Sequence, residues 1–156
     1  MLDQTLQRAF VRFAVFAGGA TPDAAQAVTG ADLETLQALI AKSMVDRRHQ
    51  PDGTTRLVML ETVRHYALGE LARAADENDI HRRHLDHYLN LVEHCSALLA
   101  THDERDALPT LDREIDNIRA ALRWALERAP TKALRLAGHL GDYWSCAADR
   151  LWFRLG

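Results

Sequence analysis

The chain has only two cysteines, Cys95 and Cys146, 51 residues apart. Both fall in segments with helical patterning, so they read as small packing groups rather than as a disulfide or a reactive pair. No apolar run approaches the roughly 18–20 residues needed to span a bilayer. The N-terminus, Met1-Leu2-Asp3-Gln4, has neither a basic stretch nor an apolar core, so no secretory signal is expected in these residues. A reduced, cytoplasmic setting is the expectation. An excess of positive charge is also missing. The formal net charge is −3; residues 1–75 carry eight Lys/Arg against eight Asp/Glu, and residues 76–156 carry 11 against 14. Neither half has the electrostatic footprint of a nucleic-acid-binding domain. There is no Gly-x-x-x-x-Gly-Lys-Ser/Thr loop to cradle a triphosphate and no Gly-x-Ser-x-Gly elbow. No cofactor and no catalytic centre are therefore expected within these residues.

What is present is patterning for a core. Leu2, Leu6, Phe10 and Phe13 recur at spacings of four and three, one face of a helix, and Gly18-Gly19 stops it. Thr21-Pro22-Asp23 starts a second helix with a cap, a proline in the first turn and an acid against the dipole. It ends near Gly30. Asp32 caps a third helix, whose buried face is expected to hold Leu33, Leu36, Leu39 and Ile40. The period then changes. Met44–His49 and Thr55–Leu60 read as strands around a Pro51-Asp52-Gly53 turn, a hairpin signal. Three short helices followed by a hairpin is the winged-helix order.

From Thr62 the period is helical again, through Val63, Ala67, Leu71 and Ala74. A polar connector over 75–79 leads into a long helix from about Ile80 to Ala100, with Tyr88, Leu89, Val92, Cys95 and Leu99 on its apolar stripe. Asp103 can cap a short turn before Pro109. Leu111, Ile115, Ile118, Leu122 and Ala125 mark the next helix. Thr131 can cap a last one containing Leu134, Leu136, Leu140 and Trp144. Aromatic Trp152 and Phe153 close to the C-terminus suggest a chain cut inside a helical array, because exposing them forfeits roughly 1.5–3 kcal/mol of burial each. The expected fold is mainly α: a winged-helix domain over 1–75, then an antiparallel, repeat-like helical region over 76–156.

Several clusters invite chemistry and have plainer readings. His81, His84 and His87 are spaced by three on one helix, with His94 beyond. Zinc pairs on a helix favour i,i+4, so these read as semi-buried contact residues and no metal site is expected. Arg47, Arg48 and Arg56 make the hairpin locally basic, as a wing that touches a partner or a DNA backbone would be. The third helix, however, offers only Gln37, Lys42 and small hydroxyls, a poor set for reading base edges. Glu61, Arg64 and His65 open a helix, where an acid is favourable in any case; they are candidates for contact with a neighbouring domain, with Leu60 and Val63 turned to the core. The mixed run Asp112, Arg113, Glu114, Asp116, Arg119 and Arg123 reads as a solvated helix face.

Five segments also resemble one family. Met59-Leu60-Glu61-Thr62-Val63-Arg64-His65-Tyr66-Ala67 is similar to the "MLETxRxYA" signature of the winged helix in bacterial STAND regulatory ATPases. Phe13–Thr21 resembles its "SVFAGGFT" turn, Leu39–Val45 its "LVDKSLV", Arg83-His84 with Tyr88-Leu89 its "RHxxYYLxLAE", and Asp116–Ala125 its "DNLRAALRWA". These segments follow the family's order across roughly residues 6–127. The resemblance implies a module between an NB-ARC-type ATPase core and TPR-like repeats, as in LuxR-family or SARP-type transcriptional regulators, with ATP or ADP bound only by the absent ATPase domain. Some relatives place Met-His-Asp at the end of the hairpin, where the histidine touches a diphosphate. Here the triplet is Met59-Leu60-Glu61, and Leu60 cannot donate to phosphate.

Two functions follow as expectations. The first is a non-catalytic interaction module relaying state between an ATPase domain and helical repeats. Its partners would be other domains of the same protein, or a second copy through the helical end, with DNA binding by this segment and membrane contact not expected. The alternative is a DNA-binding winged helix with a helical dimerisation arm.

Overall fold

A computed structural model of the chain describes residues 3–101 and 104–155, with the side chains of 104–106, 142 and 146–155 left out. Among the described residues the order is α1 (Gln4–Phe13), α2 (Pro22–Thr29), α3 (Leu33–Ala41), β1 (Asp46–His49), β2 (Thr55–Val58), α4 (Glu61–Leu71), α5 (Glu77–Ala100), α6 (Glu104–Arg128) and α7 (Pro130–Leu155). The chain divides into two compact units, residues 1–87 and 88–156. The first unit therefore takes in the opening turns of α5 as well as the segment through α4.

In the first unit, each short helix starts where its cap residue sits. Asp3 accepts from the Leu6 amide at 2.8 Å, Thr21 from Ala24 at 3.2 Å and Asp32 from Thr35 at 2.8 Å. These bonds satisfy amides that the helix itself leaves unpaired. Hydrogen bonding to Thr35 holds the Asp32 carboxyl below its ordinary value of 3.8. Its contribution is therefore complete above that value and disappears as pH falls through the lowered one. Leu6, Phe10 and Phe13 of α1 are buried with Val15 and Phe16 just beyond, against Leu36 and Leu39 of α3 and Leu71 of α4.

Leu33 departs from the expected pattern: it is 54% exposed. The inward direction of α3 falls between Leu36 and Leu39, which leaves the first-turn residue pointing away at 100° per residue.

The wing is an antiparallel pair in the register Asp46↔Val58, Arg47↔Leu57, Arg48↔Arg56 and His49↔Thr55. Ala20 adds an isolated bridge to Leu57, with N–H to O distances of 2.8 and 2.7 Å in the two directions. This ties the turn after α1 to the sheet. Gly18 and Gly19 both have positive φ there.

In the second unit the stripe of α5, Tyr88, Leu89, Val92, Cys95 and Leu99, is buried as its spacing predicts. Helix α7 packs on α6 and reaches Glu93 of α5 through Arg135. Three expectations change here. Pro109 lies inside α6 rather than ending a turn; it is the sixth helical residue, so it removes one backbone bond and the helix continues. Pro130, not Thr131, opens α7, suiting a residue with no amide proton to give. Within the charge run, Glu114 and Asn117 are buried at 7% and 0% exposure and hydrogen-bond to each other at 2.9 Å. That stretch is therefore not a wholly solvated face. Asp103 and the side chains of Cys146, Trp152 and Phe153 fall outside the described residues. Among the described residues, no helix is long and apolar enough to cross a membrane.

Candidate functional site

Two exposed areas of the first unit hold the sequence-derived candidates. One runs from the outer face of α3 to the wing. Leu33, Glu34, Gln37, Ala41, Lys42 and Ser43 are exposed on or just after α3, and Asp46, Arg47, Arg48 and His49 are all exposed on β1. β1 is an edge strand with solvent on both faces, which is why no period-two burial appears in it. The cations Lys42, Arg47 and Arg48 are outnumbered by Asp32, Glu34, Asp46 and Asp52.

Arg56 does not share this exposed area. It is 9% exposed, and its Nε donates to the Gly18 carbonyl at 2.8 Å while Nη2 donates to that of Gly19 at 3.0 Å. Its work is structural: the guanidinium holds the Gly-Gly turn against β2. Composition alone made the hairpin look uniformly basic. A usable signal was that a directly opposite Arg48–Arg56 pair would repel if both faced the same solvent.

The second area is the corner where β2 becomes α4. Glu61 is 73% exposed by side chain, whereas Arg64 is 17% exposed. Arg64 donates from Nε to the Phe16 carbonyl at 2.6 Å and pairs with Glu61 at 3.2 Å. His65 is exposed. Leu60 is 54% and Tyr66 65% exposed, so Leu60 does not face the core; Met59, at 6%, takes that place. The corner thus leaves Leu60, Glu61, His65 and Tyr66 exposed, while Arg64 is turned inward.

Alanine substitutions should separate these roles. Arg64→Ala leaves a polar carbonyl short of a charged donor and should cost roughly 1.5–3 kcal/mol. Glu61→Ala should stay within about 0.5 kcal/mol of wild type, as exposed sites do. Urea melts of the two variants check this, and equal midpoints would refute the inward role of Arg64.

The histidines are dispersed. His84 is buried at 1% and meets the Phe16 ring edge-on at 5.4 Å. His81 and His87 are half-buried and His94 is exposed. Among the described residues, no group of three or more His, Cys, Asp or Glu could hold a metal ion. Cys95 is 2% exposed, and burial pushes its thiol up from the ordinary value, which favours the unreactive protonated form.

Three helices, a tethering bridge and a two-stranded wing define a winged helix-turn-helix domain. Residues 2–72 match the family described as "Winged helix-turn-helix domain". The chain is also homologous to curated proteins of similar name: "Putative HTH-type transcriptional regulator Rv0890c" of Mycobacterium tuberculosis (strain ATCC 25618 / H37Rv) and "Putative HTH-type transcriptional regulator Mb0914c" of Mycobacterium bovis. Each is 38% identical over 152 residues, covering 92% of this chain. The chain spans 17% of the length of these relatives. No solved structure matches it significantly.

Proposed function

We propose that this chain is a non-catalytic, cytoplasmic segment of a multidomain transcriptional regulator, and that its winged helix makes protein contacts. It would relay the nucleotide state of an ATPase domain elsewhere in the protein to TPR-like helices. The observation that carries this reading is the outer face of α3 and the wing, where Leu33 is exposed and acids outnumber bases. A groove-reading helix needs Arg, Lys, Asn or Gln at that position, and close approach to a phosphate backbone needs net positive charge. The length of the relatives leaves room for the other domains. In this reading ATP and ADP belong to the ATPase domain, so neither should shift the melting temperature of the chain by itself.

A second reading is DNA binding by this winged helix. The helix-turn-helix match and the names of the relatives speak for it more directly than for relay. Arg47 and Arg48 stand exposed on the wing where they could touch a backbone.

One experiment separates the two: fluorescence anisotropy with mixed-sequence duplexes at low salt. Protein contact predicts no specific binding. DNA contact predicts binding that weakens with salt, with the slope of log K against log salt shrinking by about two units in Arg47→Ala/Arg48→Ala. That double variant should keep its stability within about 0.5 kcal/mol of wild type. Arg56→Ala should instead lose roughly 2–3 kcal/mol by leaving two carbonyls without their charged donor. A stable Arg56→Ala variant with weakened DNA binding would return Arg56 to the contact surface.

A further inference from the structure

We infer that the first unit holds an anion site for a phosphate group, in the cleft between α1, the end of α2 and the start of α3. The cleft has a volume of about 140 Å³ and is lined in part by Thr5, Arg8, Arg12, Gly30 and Thr35. That volume is several times the roughly 30 Å³ a water takes in the liquid. No acidic residue lines it.

Thr5, Arg8 and Arg12 fall on one face of α1, at the i, i+3, i+7 spacing that stacks side chains over successive turns. Arg12 is fixed in place. Its Nε donates to Asp76 at 2.8 Å, its Nη2 lies 2.6 Å from the same carboxylate, and its Nη1 donates to the Thr29 carbonyl at 2.8 Å. Those bonds use three of the five guanidinium N–H groups and leave two to donate.

Gly30, the left-handed cap of α2, lies at the edge of the cleft between two arginines. A methyl group there would lie 3.6 Å from Arg83 Nη1 and 3.7 Å from Arg12 Nη1, so two guanidiniums border that spot. Arg83 is oriented by Asp79, 2.8 Å from its Nε.

Arg8 is different. It is exposed and has no ion pair or hydrogen bond among the described residues. It can swing over the cleft with its whole fork free, the geometry that suits a tetrahedral oxyanion. Asp32, which does not line the cleft, accepts from the amide of the lining residue Thr35.

The phosphate can be free or part of a nucleic-acid backbone. The site involves neither the outer face of α3 nor the wing, so Arg8→Ala tests it separately from Arg47→Ala/Arg48→Ala.

The test uses the intact chain. Melting temperature is followed against inorganic phosphate, with chloride at matched ionic strength as reference. Wild type should show a saturable rise. Arg8→Ala, at an exposed helical site where alanine is well tolerated, should weaken the apparent affinity roughly tenfold, the scale of one charge-assisted hydrogen bond. Arg8→Lys should retain part of it. A phosphate response no larger than that of chloride, or one unchanged in Arg8→Ala, overturns the inference. Titration with duplex DNA then identifies the source. A weaker, less salt-dependent complex in Arg8→Ala assigns the site to backbone phosphate, and an unchanged duplex affinity alongside the lost phosphate response assigns it to the free ion.

Discussion

Gly19→Ala should destabilise the winged helix by roughly 3 kcal/mol or more, combining backbone strain with a contact that cannot be relieved locally. The φ at this residue is +84°, and a Cβ built there lies 2.3 Å from the Leu57 carbonyl oxygen and 3.0 Å from Val58 Cγ2. The obstructing atom is backbone, so no rotamer change removes the clash. The Leu57 carbonyl also accepts from the Ala20 amide at 2.8 Å. Displacing it breaks the bridge that holds the post-α1 turn to the sheet, and moves the Gly19 carbonyl that Arg56 clamps. Gly53 provides the control: its φ is +81°, yet nothing lies within 4 Å of an added Cβ. Gly53→Ala should therefore show only the strain cost, about 1 kcal/mol. Urea denaturation of both variants checks the difference, and equal losses would show that the Gly19–Leu57 approach is not a constraint.

The second large effect is expected for Phe16→Ala, a loss of roughly 3–5 kcal/mol. The ring is 1% exposed, tilted against Phe13 at a centroid distance of 5.3 Å and edge-on to His84 at 5.4 Å. Truncation leaves a cavity bordered by a buried imidazole, which adds a polar cost to the lost apolar burial. Phe16→Leu should recover much of the loss by restoring volume. If Phe16→Ala melted within a few degrees of wild type, the ring would not be a pillar of this core, since roughly 3 kcal/mol corresponds to at least about 10 °C in a domain of this size.

The same residues show how far the sequence reading reached. Thr21 and Asp32 were legible as caps because a cap depends on a side chain and an amide two or three residues ahead, and both bonds form. The hairpin was legible for a similar reason: Asp52 binds the Thr54 amide at 3.0 Å, and Gly53 adopts the positive φ that the turn needs. The stripe on α5 followed from period alone. What the sequence misassigned were residues whose role depends on something distant. Arg56 looked like a wing contact, but its partners lie 38 and 37 residues away at Gly18 and Gly19. Arg64 looked free, but it donates 48 residues back to Phe16. Leu33 was expected on the periodic buried face of α3 and Leu60 against the core, yet Leu33 is the first residue of its helix and Leu60 the cap of α4, and both are exposed.

The sequence by itself therefore determined the order of the winged-helix elements, the capped starts of α2 and α3, the hairpin turn, and the absence of phosphate-loop and nucleophile motifs, because these rest on interactions within a few residues. The tertiary structure alone decided which arginines are structural and which stay exposed. Arg12, Arg56 and Arg64 turn inward to carbonyls or a carboxylate; Arg8, Arg47 and Arg48 stay in solvent. A guanidinium is long enough to reach either a buried carbonyl or water from the same backbone position. Its choice is set by which unpaired acceptors the fold brings within reach.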